Sequence, residues 1–424
     1  MGTTLALALR RRMDGCVETG TGNFWCHVLE GACASFGMEL VAPGVVFPVL
    51  AAALGVSPAL MGALGALGGL SFLVPLFVAH RVEAARRKKR LVLLLGIGQR
   101  LPFLVIPLLL FLMAESAPRA CLLSIALVNL AAAMVVSALV PPWVALLSET
   151  IRPARMARLL GYRNSISSVL GLLAGVVSAA LLSALAFPLG YVLLYLFAFG
   201  AMAASWLIFS LVDELPARAE QPGSPAARSY FQGLFSALRD DAICRRYLVH
   251  QGISRMGMAV APFYALVAVS HFGVHPALAV GAFLTAENSA KIAGSFAFPF
   301  FSERAGHRWI LGIGTGLHAA AALAAACAPS GEWFVAVFFL SGLGTAAKTV
   351  SGLPLTMAVA PGGRTVGYVT LSMAVLAPVG MLAALAAGFA LSWAGHEIVF
   401  GLAALVTLAA LLPLGPSSTV TVSE

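Results

Sequence analysis

Residues 86–113 read RRKKRLVLLLGIGQRLPFLVIPLLLFLM: five consecutive basic residues, then an apolar run to Met113 broken by a single charge, Arg100. A helix needs about 20 predominantly apolar residues to cross the hydrocarbon core of a bilayer. A cluster of Lys and Arg at one end marks the end that stays in the cytoplasm. The stretch therefore predicts a transmembrane helix with its basic end inside.

Working outward in both directions, apolar runs between charge and turn clusters predict twelve spans. Their limits are 24–54, 58–80, 91–113, 120–147, 161–185, 188–212, 244–270, 277–301, 309–328, 333–359, 366–393 and 397–414. The first is long enough that it must tilt, bend at Pro43 or Pro48, or start outside the lipid. Composition agrees. The 424 residues are 60% hydrophobic and 10% charged, with a mean hydropathy of +0.95. Soluble domains average about 45–50% apolar and about 25% charged residues, so a water-soluble globule is excluded. No long polar stretch is left over to build one.

The charge of +9 needs a topological reading. Loops on the side of the N-terminus carry Arg10–Arg12, the basic 81–90 loop, Arg152, Arg155, Arg158, Arg218, Arg228, Arg239, Arg245, Arg246, Arg304, Arg308 and Arg364, whereas the opposite loops carry Arg119 alone. That bias puts both termini in the cytoplasm, as an even number of spans requires, and accounts for the basic balance without nucleic acid. The six cysteines, Cys16, Cys26, Cys33, Cys121, Cys244 and Cys327, are scattered and form no CxxC pair. They read as small packing residues and not as a disulfide framework. Asp14 and Glu18 follow the N-terminal arginines, and no small-residue cleavage site follows a short apolar core, so no removed signal peptide is expected.

Residues 213–243, with Pro216, Pro222, Gly223 and Pro225, read as a polar linker. It divides the chain into a six-helix bundle over 1–212 and a second over 244–424. An internal echo supports the division. Gly55-Val-Ser-Pro-Ala-Leu60 recurs as Gly273-Val-His-Pro-Ala-Leu278, and Gly37-Met38 with Pro43 recurs as Gly257-Met258 with Pro262. Duplicated halves place a substrate site between them near the bilayer midplane. The fold class expected is thus all-α integral membrane, with twelve transmembrane helices in two pseudo-symmetric six-helix bundles.

Twelve spans, a central cytoplasmic linker and basic loops after the second and eighth spans resemble the major facilitator superfamily. In the second of these loops, Glu303, Arg304, Gly306 and Arg308 are similar to the family's acidic–Arg–x–Gly–x–basic signature. The resemblance implies a gating loop that clamps neighbouring helix ends. The first-half copy, from His80 to Arg90, keeps the basic cluster and lacks the Gly and the Asp. Span five has Gly171 and Gly175 but not the Gly-Pro-x-x-x-Gly-Gly run of proton-antiporting drug exporters. The resemblance also implies that spans one, four, seven and ten line a cavity.

Ionisable groups at membrane depth cost roughly 2.5–3.5 kcal/mol on insertion scales and are functional candidates by default. Glu39 lies near the middle of span one and is placed to take up and release protons or to touch substrate; a structural partner for Arg100 is its alternative role. Glu287 and Lys291 are four apart on span eight, the favourable order for a pair. Arg255 and Lys348 lack an opposite charge on their own helices and would attract an anion, or else pair with Glu39 and Glu287 across the halves. Glu30 and Arg100 read as a structural ion pair. Gln99 and Asn129 could line the path or join helices, as polar amides often do. Cys26, Glu30 and Cys33 share a helical face beside His27, which raises a metal site as a minor alternative.

Together these readings predict a secondary transporter of a small polar, anionic or zwitterionic solute, working by alternating access in the cytoplasmic (inner) membrane. The small-molecule substrate and the lipid bilayer are its expected partners. Protons are the candidate coupling ion. It is expected to be a monomer that is not an enzyme and needs no cofactor. Two rivals stay open: a multidrug or metabolite exporter, and a non-transporting sensor or assembly scaffold of the same fold.

Overall fold

The computed structural model describes residues 21–75, 77, 88–151, 153–214, 242–359 and 365–414. The 78–87 loop and most of the expected linker, 215–241, lie outside the described residues. The chain is all helical. The first span consists of α1 (Thr21–Leu40) and α2 (Val46–Ala53). The second is α3 (Pro58–Gly69), continued by a 3-10 turn at Leu70–Leu73. The third is split into α4 (Lys88–Arg100) and α5 (Pro102–Met113). Helices α6 (Pro118–Thr150), α7 (Pro153–Ala184) and α8 (Leu189–Ser210) complete the first bundle.

The second bundle opens with α9 (Ala242–Met258) and α10 (Ala261–Ser270), again two pieces of one span. Then come α11 (Pro276–Ala305), α12 (His307–Ala326), α13 (Phe334–Val359) and α14 (Thr365–Ala409). The last holds two spans, divided at Gly395, whose φ is 77°. Eight helical stretches among the described residues are long and apolar enough to cross a membrane on their own. Missing from that set are the first, second and eighth spans. The first is broken, the second short, and the eighth carries Glu287 and Lys291; all three face the seam between the bundles.

The breaks follow proline chemistry. Pro43 sits in the turn that separates α1 from α2, while Pro48 lies within α2, so the bend falls at the earlier of the two candidates. Pro102 and Pro262 stand at the starts of α5 and α10, where a missing N–H costs nothing. The echo is structural as well. Gly55 and Gly273 both adopt positive φ, 75° and 68°, a region that favours glycine. Three residues on, Pro58 and Pro276 each begin the next helix.

Small residues bring the bundles together, as expected where lipid leaves no hydrophobic drive between helices. Gly62 on α3 lies against Ala384 and Gly388 on α14, Gly69 lies against Met381, and Gly175 on α7 meets Gly281 and Leu284 on α11. On the side away from the termini, one apolar core spans both bundles. It joins Leu40–Leu54 to Val260–Ala268, Phe283, Phe338 and Phe400. On the side of the termini the cores are separate: Phe24, Val28, Leu147 and Leu159 in one place, Cys244, Leu311, Leu355 and Tyr368 in another. Among the described residues the buried core is therefore continuous between the bundles on the far side and divided on the side of the termini.

Candidate functional site

The broken spans put helix ends inside the membrane. The last carbonyls of a helix have no partners within it and carry partial negative charge, so a C-terminal end attracts a cation. Each broken span has one there. At the end of α1, Glu39 Oε1 lies 3.6 Å from Lys291 Nζ on α11. At the end of α9, Lys348 Nζ donates to Ser254 Oγ at 2.6 Å and meets Met258 Sδ at 2.8 Å, and Arg255 lies in the same last turn. At the end of α4, Arg100 donates to its own helix at Gly96 O, 2.8 Å, and to Met202 O, 2.7 Å.

The first of these is a joint between bundles. Lys291 Nζ is also 2.9 Å from Glu287 Oε1, one turn back on its own helix. Asn288 Nδ2 donates to Glu39 Oε2 at 3.3 Å. Asn288 is buried and fits because Gly171 on α7 has no side chain: a Cβ there would stand 2.5 Å from the amide of Asn288. The three charged side chains are each about one-fifth exposed, at 21–23%, so they are shielded but not fully enclosed. One ammonium shared by two carboxylates leaves the cluster with one charge in excess.

Arg255 and Lys348 do not pair with Glu39 or Glu287, as one reading of the sequence allowed; Lys291 takes both carboxylates. Among the described residues neither cation is in a salt bridge. The Arg255 guanidinium instead lies over the Phe72 ring, 5.2 Å from its centroid, across the seam between bundles.

The expected pair of Glu30 with Arg100 is corrected. Glu30 Oε2 accepts from Arg163 Nη1 on α7 at 2.6 Å, and the same nitrogen donates to His27 O at 2.9 Å. Arg163 also lies over the Trp143 ring at 5.2 Å. Arg100 reaches Glu30 only through Ser205, which accepts from Arg100 at 3.2 Å and donates to Glu30 at 3.4 Å. The stack on Trp143 and the bond to His27 O together hold the Arg163 guanidinium at Glu30. Glu30→Gln keeps the shape and removes the charge, leaving the half-buried Arg163 with a neutral partner. It is expected to lower stability by about 1.5–3 kcal/mol, the worth of a hydrogen bond to a charged group, as read by the thermal midpoint of purified protein.

The candidate metal ligands are not gathered. Cys26 packs against Val92, Leu146 and Phe209, His27 Nε2 bonds Thr150 Oγ1 at 3.1 Å, and Glu30 is taken by Arg163. No group of three or more His, Cys, Asp or Glu able to hold a metal ion occurs among the described residues. Cys26, Cys33, Cys121, Cys244 and Cys327 are free thiols. In the loop resembling a gate, Gly306 has a φ of 84° and ends α11. Arg308 donates to Leu414 O, Arg304 lies 4.2 Å over the Phe300 ring, and Glu303 is exposed.

Next to these charges lies a cavity of about 480 Å³, bounded by spans one, two, three, four, six, seven and eleven. Its wall is almost wholly apolar. Gln99, Asn129 and Tyr195 supply polar groups, and among the described residues no acidic or basic one lines it. Sequence reasoning placed Gln99 and Asn129 on a path but missed Arg163 and Phe72. Arg163 carried a usable signal, a charge at the start of an apolar run; Phe72 carried none.

No protein-family model matches the sequence, and no curated protein matches it. Solved structures do. A mutant of the nucleoside transporter NupG superposes with a TM-score of 0.71 at 12% identity, covering 92% of this chain and 98% of that one. A bacterial homologue of the human lysosomal transporter Spinster, inward-facing and unoccupied, gives 0.64 at 15% identity over 93% and 94%. The human organic anion transporter MFSD10 gives 0.61 at 15% identity over 92% and 98%. These likenesses span more than nine-tenths of the chain, and at such identities they speak for architecture alone: the chain shares the helical, two-bundle fold of these solved transporters.

Proposed function

We propose that the chain is a secondary active transporter of a small organic anion, coupled to protons at Glu39 and operating by alternating access in the cytoplasmic membrane with both termini inside. The observation that carries the proposal is Lys291 held between Glu39 on one bundle and Glu287 on the other. When Glu39 is ionised, Lys291 ties the bundles together. When Glu39 takes a proton, Lys291 keeps Glu287 on its own helix and loses only the bond across the seam. The bundles are then free to rock without an ammonium being orphaned in the membrane, an event that would cost several kcal/mol. Lys291 and Glu287 are the charged groups facing Glu39; Arg163 on the neighbouring α7 is committed to Glu30.

Proteoliposomes containing a pH dye test this directly, with a panel of dicarboxylates and aromatic sulfonates that do not cross bare lipid. At least one solute is expected to move protons faster than in empty vesicles. With Glu39→Gln the same solute should still exchange, but without net proton movement. A wild-type protein that moves no member of the panel removes transport, and undiminished proton flow in Glu39→Gln removes Glu39 from coupling.

A further inference from the structure

The apolar cavity and the cation above it form a site to which proton coupling at Glu39 assigns no ligand. Gly68 lines the cavity, and Phe72 is one turn further along the second span; Ala259 lines it, and Arg255 is one turn earlier on the seventh. Span two runs toward the side of the termini and span seven away from it. Both displacements, about 6 Å at 1.5 Å per residue, therefore point to the open side. Arg255 stacked on Phe72 sits at the cavity mouth there.

We propose that this is a binding site for an amphipathic organic carboxylate, whose apolar body fills the cavity while its carboxylate is held by Arg255. Such a ligand supplies a substrate class for the transport reading, and the site rests on that reading only for the movement of the bundles after binding. The volume is in the range of pockets that take drug-sized ligands. A wall whose described residues carry no charge favours an apolar body. A guanidinium contacting only a ring face has its N–H fork unspent, and that fork matches a carboxylate with two parallel bonds. Binding would exchange the stack on Phe72 for the anion. Because that stack crosses the seam, the ligand acts on the contact between bundles.

Isothermal titration of the full chain in detergent with 1-naphthaleneacetate, 1-naphthaleneacetamide and acetate separates body from charge. The acid is expected to bind at least about tenfold more tightly than either of the others. Arg255→Gln should bring acid and amide level, Arg255→Lys should keep part of the preference, and Ala133→Phe, which fills the cavity, should weaken acid and amide alike. Equal binding of acid and amide by the wild type overturns the proposal. So does failure of any naphthalene probe to bind, or an intact preference in an Arg255→Gln protein that melts normally. If Arg255→Gln does not fold, the wild-type series and Ala133→Phe still decide. Binding without vesicle transport would sink the transport reading and leave the site; transport of other solutes without naphthaleneacetate binding would do the reverse.

Discussion

Lys291→Met is expected to reduce transport by roughly 100-fold or more while leaving the protein folded. Methionine keeps the length and apolar body of the side chain and removes its charge. Glu39 and Glu287 would then be left without the ammonium that lies 3.6 Å from one and 2.9 Å from the other. Leaving one member of a shielded ion pair uncompensated costs about 3–5 kcal/mol, and each 1.36 kcal/mol placed on a barrier is tenfold in rate. Partial exposure lets water recover some of this, hence the lower end of the range. A second variant separates charge from shape. In Glu39→Gln/Lys291→Met the remaining lone carboxylate is Glu287 and the tie across the seam is absent in every state, so exchange should partly return while proton coupling does not. Exchange rates in proteoliposomes, corrected for the amount of reconstituted protein, provide the measurement. Full activity in Lys291→Met would show that the cluster does not govern movement of the bundles.

A wedge at Gly388 should drive the opposite side of the protein open. A Cβ at this position would stand 2.5 Å from Pro58 O, 2.7 Å from Gly62 Cα and 3.0 Å from Gly62 N. All three are backbone atoms of the other bundle, so no side chain can swing away. Gly388→Leu must separate α3 from α14, at the price typical of overpacking, about 1–3 kcal/mol. The strain is relieved if the far side parts, as alternating access requires in its other state. Met61 is buried at 5% exposure beside this contact. In a background without the native cysteines, Met61→Cys should be labelled about tenfold faster by an impermeant maleimide when Gly388→Leu is present. Gly380→Ala is the control, because nothing lies within 4 Å of its Cβ position. Equal labelling in all three proteins would mean that this contact does not seal the far side.

Both predictions depend on contacts that cross the seam, and these were the least legible part of the sequence. A bend at Pro43 or Pro48, the twin glycines Gly55 and Gly273 and the neighbouring charges Glu287 and Lys291 could all be read along the chain. Each depends only on residues within a turn or two of one another. The partner of Glu30 could not be read so. Depth along the chain pointed to Arg100 and passed over Arg163, whose stack on Trp143 and bond to His27 O hold it at Glu30. Likewise, charge counting left Arg255 and Lys348 as partners for the carboxylates, and it took the rotation of α11 about its axis to put Lys291 there instead.

The amino-acid sequence alone determined that the chain lives in a bilayer, that its spans form two echoing sets, and which few residues carry charge at depth. These are matters of transfer free energy and local backbone geometry, and both act over short stretches. Only the tertiary structure decided which charges meet, which helix faces touch, and that an uncharged cavity opens beneath Arg255. Those outcomes depend on the rotation and close approach of helices far apart in the chain, set by steric fit between small residues that no hydropathy pattern records.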